Sequence, residues 1–160
     1  MQSELLAALR ARETEIRGHW ANLLSVEPVN TPLAHPNALT HLIDWTLAQI
    51  LRELATGELH RRSRECQIGA PYRSLCACGR NPLLAYFQAA GQALREALIL
   101  IQATAQSLDP IERDASLEEL NIVLQDVARR EIEAFCGVCT HRQKSDVHSP
   151  CPVTAAHVSA

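Results

Sequence analysis

From Ser3 to about Ser25 the apolar residues Leu5, Leu9, Ile16, Trp20 and Leu23 recur at spacings of three, four or seven, with charged residues between them. That period lays one apolar face along a helix, and Ser3 is placed to cap its start, so the pattern predicts a first helix here. Residues 26 to 35 contain Pro28 and Pro32 and no period, which predicts a connecting loop. A second helix begins at Pro36 or Asn37. Its broad stripe is Leu39, Leu42, Ile43, Thr46, Leu47, Ile50, Leu51 and Leu54, and Gly57 is its natural stop. From Glu58 to Tyr72 no clear period remains, as expected of a frayed helix end passing into a loop.

The third helix has the clearest start. Asn81 can cap it, and Pro82 suits the first helical position, where no amide hydrogen is needed. Leu84, Phe87, Gly91, Leu94, Leu98, Ile101, Ala105 and Leu108 then alternate spacings of three and four, a heptad seam for packing at a shallow angle. Gly91 on that seam marks either the close approach of a neighbouring helix or a tolerated glycine. Asp109-Pro110 is expected to end the helix, and Ser116-Leu117-Glu118-Glu119 reads as a capping box that opens the fourth. Its stripe runs through Leu117, Leu120, Leu124 and Val127 to Ile132 and Phe135 before Gly137 ends it.

Four helices joined by short or moderate loops predict an all-α fold, an up-down-up-down four-helix bundle over residues 1–140. Residues 141–160 have little to bury and are expected to form a flexible tail. At 160 residues the chain is one domain by size and needs no disulfide to stay folded. Its composition, 47% hydrophobic but only 4% aromatic, agrees with a helical class. The first residues open directly into an amphipathic pattern without signal-peptide features, and no run of about 18 apolar residues occurs. A cytoplasmic protein with no membrane segment is therefore expected. A net charge of −3 argues against general nucleic-acid binding.

Cysteines carry the candidate chemistry. In the expected topology the end of the second helix, the start of the third and the end of the fourth share one pole, which gathers Cys66, Cys76, Cys78, Cys136 and Cys139, with His60 and His141 nearby. Cytosolic cysteines are more often metal-binding or redox-active than disulfide-bonded. A tetrahedral site wants four thiolates from short-spaced pairs, which Cys76-x-Cys78 and Cys136-x-x-Cys139 supply. Cys66, His60 and His141 are additional candidate ligands, and Cys151 in the tail reads as a spare thiol. Arg80 and a helix N-terminus favour thiolates at Cys76 and Cys78, whereas a helix C-terminus opposes them at Cys136 and Cys139, a conflict that a bound cation relieves. Zinc is the default for a closed four-thiolate site, and an iron–sulfur cluster is the alternative. Small buried apolar thiols, or a disulfide, are the competing readings.

Other constellations are weaker. His19, His35 and His41 are expected near the opposite pole, where three histidines form a candidate second site without an HxxxH pair to support it. Arg61, Arg62, Arg64, Arg73, Arg80, Arg129, Arg130, Arg142 and Lys144 are nine of the fifteen basic residues and all fall toward the cysteine pole, so an anionic ligand or partner there is one expectation and a solvated face the other. No phosphate loop, nucleophile elbow or Ser/His/Asp arrangement occurs. The one enzymatic option is a thiol–disulfide oxidoreductase at Cys136-x-x-Cys139, although such pairs normally sit at a helix N-terminus.

The order of a first helix ending in Trp20, a Pro- and His-Pro-containing link, and the leucine-rich helix of Leu39 to Leu54 resembles the N-terminal sensory domains of RsbR-like co-antagonist proteins. It covers less than half the chain and transfers no site residue. What the resemblance implies is a regulatory or sensor role, exercised through a protein partner or self-association.

Overall fold

The computed structural model describes residues 1–26, 36–56, 81–105 and 108–138. Among them are five helices and no strand: α1 (Ser3–Ala11), α2 (Glu13–Val26), α3 (Pro36–Thr56), α4 (Leu83–Thr104) and α5 (Pro110–Val138). The all-α expectation holds. Of the loop expected over 26–35, Val26 is instead the last residue of α2; the rest of it, the stop at Gly57, the stretch from Glu58 to Tyr72 and the tail over 141–160 lie outside the described residues.

The first expected helix is two. Arg12 leaves helical geometry at φ −104° and ψ 14°, and its amide bonds back to the Leu9 carbonyl, so the chain turns between α1 and α2. No glycine or proline marks the turn, and the spacing of seven from Leu9 to Ile16 spans it in phase. Both halves are anchored, α1 by Leu5, Leu6 and Leu9 and α2 by Ile16, Trp20 and Leu24. The inward residue near the end of α2 is Leu24 rather than Leu23.

At the start of α4 the side-chain oxygen of Asn81 accepts the Leu83 amide at 3.0 Å, and Pro82 has helical dihedrals of −63° and −23°. This is the expected cap with proline at the first helical position. The helix ends sooner than its seam suggests. Ala105 is extended and its amide bonds the Ile101 carbonyl, to which the Thr104 hydroxyl also donates, so Leu108 packs on the core from outside the helix.

The capping box does not open α5. Pro110 begins it, with Asp109 Oδ1 accepting the Ile111 amide at 3.4 Å and the Asp109 carbonyl accepting the Arg113 amide. Ser116 lies inside the helix, where its hydroxyl donates to the Glu112 carbonyl at 2.7 Å, the local bond serine makes mid-helix instead of a cap. Nor does Gly137 end α5, which runs through it to Val138.

Packing centres on α4, which lies against α1, α2 and α5, while α3 lies against α1, α2 and α5. Leu84, Phe87, Gly91, Leu94, Leu98 and Ile101 of the expected seam are all buried, and Tyr86, Ala89, Ala90 and Ala93 widen it. Each fully buried leucine or phenylalanine contributes about 1.5–3 kcal/mol relative to an exposed one, so this helix carries much of the core. A Cβ on Gly91 would meet the Arg95 guanidinium at 3.2 Å, so the nearest neighbour at this glycine is an arginine head on its own helix. Paired contacts run in opposite directions along α4 and α5: Asn81 with Ile132, Arg95 with Asn121, Gln102 with Arg113. The two helices are antiparallel.

Candidate functional site

Three helix ends lie toward one pole. Glu53, in the last turn of α3, accepts Arg130 Nη2 at 2.6 Å on the same oxygen that Gln49 Nε2 reaches at 3.2 Å. Arg130 precedes by two residues the Ile132 carbonyl that Asn81 holds at the start of α4. The sequence expected these ends to meet.

Asn81 is the joint. It is 4% exposed, and its amide nitrogen donates to the Ile132 carbonyl at 3.2 Å and to Cys136 Sγ at 3.4 Å. Its orientation is not interchangeable. The Leu83 amide is a donor and the Ile132 carbonyl an acceptor, so Oδ1 must face α4 and Nδ2 must face α5. One buried amide thus caps one helix and binds the last turns of another. The sequence marked Asn81 only as a cap; its bonds to α5 span 51 and 55 residues, a distance that no local pattern reports.

Of the expected ligands, Cys136 alone lies among the described residues. It sits in the last turn of α5, half-buried against the core, with its sulfur toward Asn81. Cys66, Cys76, Cys78, Cys139, His60, His141 and the spare thiol Cys151 lie outside them. Among the described residues no group of three or more His, Cys, Asp or Glu side chains forms a metal-holding cluster.

Two of the nine basic residues assigned to this pole are described, and both meet carboxylates. Arg129 pairs with Asp126 at 2.6 Å, and Arg130 pairs with Glu53 at 2.6 Å and with Asp126 at 3.3 Å. Their charge is met within the fold. Arg61, Arg62, Arg64, Arg73, Arg80, Arg142 and Lys144 lie outside the described residues.

Two of the three histidines are described. His19 lies in the middle of α2, not at a helix end, and its Nε2 is 2.7 Å from Glu96 of α4. This carboxylate partner lies on the exposed surface. Hydrogen bonds from Gln92 and then His19 hold the exposed Glu96 carboxyl below its usual range. His41 is exposed on α3, and His35 lies outside the described residues.

Compared with known protein families, with curated proteins and with solved structures, the chain matches none. Among the described residues no helix is long and apolar enough to cross a membrane.

Proposed function

We propose that this chain is a small, non-catalytic regulatory or sensor module of the cytoplasm, in which Cys76, Cys78, Cys136 and Cys139 hold one metal ion that pins one pole of the helical bundle. Zinc is the ion that a closed four-thiolate site prefers. One contact carries the reading, the 3.4 Å approach of Asn81 Nδ2 to Cys136 Sγ. Cys78 is three residues before Asn81 and Cys139 is three residues after Cys136. At up to about 3.6 Å per residue, three residues from Cys78 to Asn81, five from Cys76 and three from Cys136 to Cys139 give the chain the reach to bring both pairs to that contact. Four thiols gathered there would share an ion, and a cation relieves the conflict of a thiolate with the C-terminal end of α5.

The resemblance to RsbR-like sensory domains points to the same class of role. Trp45, Ile99, Leu100 and Ile111 leave large apolar surface exposed, which suits contact with a protein partner or a second copy. Elemental analysis and a visible spectrum of anaerobically purified protein test the reading. About one zinc per chain without colour is expected. Iron with sulfide and a broad visible band would replace zinc by a cluster on the same cysteines. Protein without any metal would remove the reading. In the zinc form, Cys78→Ser or Cys136→Ser should lower Tm by on the order of 5–10 °C, whereas Cys151→Ser should leave it within about 1–2 °C.

A further inference from the structure

We infer that the outer face of α3 is a dimerisation surface, on which a second copy of this chain lays its own α3 antiparallel to the first. The dimer gives the partner contact proposed above a definite occupant, and it does not depend on the thiolate site.

Helix α3 carries two seams. Ile43, Leu47, Ile50 and Leu54 face inward and are buried, with α1, α2 and α5 packed against the helix. His41, Trp45, Ala48, Arg52 and Ala55, at alternating spacings of four and three, lie on the opposite side, and all five are exposed. That alternation is the heptad spacing by which one helix packs lengthwise on another. Trp45 is 55% exposed, and Leu42 beside the seam is 42% exposed. The face thus leaves apolar surface in water where a helix with neighbours on one side only would be polar.

The order of residues along the outer seam selects both the partner and its direction. The midpoint of α3, which spans Pro36–Thr56, falls at Thr46. An antiparallel copy that overlaps α3 over its full length has its two-fold axis there. That axis sets Trp45 opposite Ala48 of the second copy and Arg52 opposite His41 of the second copy, each contact occurring twice. The indole then lies on a small residue, as close helix packing requires, and each guanidinium meets an imidazole. A parallel copy would set Trp45 against Trp45 and Arg52 against Arg52, with bulk on bulk and like charge on like charge. Arg52 meets no carboxylate among the described residues, so nothing there offsets that repulsion. A surface that matches itself under a two-fold axis is the mark of an isologous interface, and it singles out a second copy over an unrelated protein. The 21-residue helix is about 31 Å long. One such seam offers less than the roughly 800 Å² a side of a standard interface, so the dimer forms reversibly, with a Kd on the order of 10–100 µM.

Sedimentation equilibrium of the full chain from about 5 µM to about 1 mM reads the association, and a monomer–dimer equilibrium within that range is expected. Trp45→Glu places a charge in two layers of the seam and should weaken the dimer on the order of 100-fold. Helix content and Tm should not change, because the side chain is exposed. Leu100→Glu, at an exposed apolar position on α4, should dimerise as the parent chain does. Mixing Arg52→Glu with the parent chain reads the direction, since residues 52 face each other only in a parallel pair. A mixed dimer about as tight as the parent dimer is expected, and one 10-fold tighter or more would overturn the antiparallel arrangement. A chain monomeric up to about 1 mM, its α3 left to a different protein, would overturn the dimer. So would a dimer that Trp45→Glu leaves intact or that Leu100→Glu abolishes. Metal content of the same samples tests the thiolate site separately, so either can fail alone.

Discussion

Tyr86 links three helices through one residue. Its ring lies 4.8 Å from that of Trp20 on α2, and its carbonyl accepts the Trp20 indole N–H at 3.2 Å. Its hydroxyl donates to Thr46 Oγ1 on α3 at 2.9 Å, and Phe87 stands edge-on at 5.2 Å. Burial pushes the phenol well above its ordinary range, against the opposing effect of the Thr46 hydrogen bond. The two ends of that hydrogen bond are not equivalent. Thr46→Val strands a phenol that cannot turn elsewhere and should cost about 1–3 kcal/mol. Tyr86→Phe strands a threonine hydroxyl that can rotate to a carbonyl one turn back, and should cost less, about 1 kcal/mol. Urea unfolding of both variants checks the order, and a larger loss for Tyr86→Phe would contradict it. The periodicity already placed Thr46 and Phe87 inward. It could not announce the Thr46–Tyr86 bond, because Tyr86 stands beside the heptad seam rather than on it.

Two helices start with the same chemistry, a short acceptor side chain followed by proline: Asn81-Pro82 opens α4 and Asp109-Pro110 opens α5. The first is legible because nothing helical precedes it in the pattern. The second is not, because Leu108 continues the α4 seam into it, and a proline after a helical stripe is as natural a stop as a start. Ser116-Leu117-Glu118-Glu119 then offered a better-known signature seven residues too late. Stability measurements separate the two starts. Asp109→Ala should lose the cap and cost about 0.5–1 kcal/mol, at the low end because its 3.4 Å bond is long and exposed. Ser116→Ala should fall within about 0.5 kcal/mol of neutral, since alanine is the better helix former and the Glu112 carbonyl keeps its backbone bond. A cost near 1 kcal/mol at Ser116 with none at Asp109 would restore the capping box. The turn at Arg12 had no comparable signal, because the apolar phase passes through it unbroken.

At the scale of the whole molecule, helical class and most inward positions were legible because each is a property of spacing within one helix, although Leu42 of the expected α3 stripe is 42% exposed. The meeting of helix ends was an expectation from a count of four helices; five are observed, and the Glu53–Arg130 and Asn81–Ile132 contacts join α3, α4 and α5. The tie between Asn81 and Cys136 was not legible, since it depends on how α4 and α5 are rotated about their own axes. That tie puts one of the proposed ligands at the joint between α4 and α5. X-ray absorption at the metal edge of the anaerobically purified protein tests the pole most directly. Four sulfur neighbours at about 2.3 Å, reduced to three in Cys136→Ser, are the expected result for zinc. A first shell of nitrogen and oxygen, or a sulfur count that Cys136→Ser leaves unchanged, would contradict it.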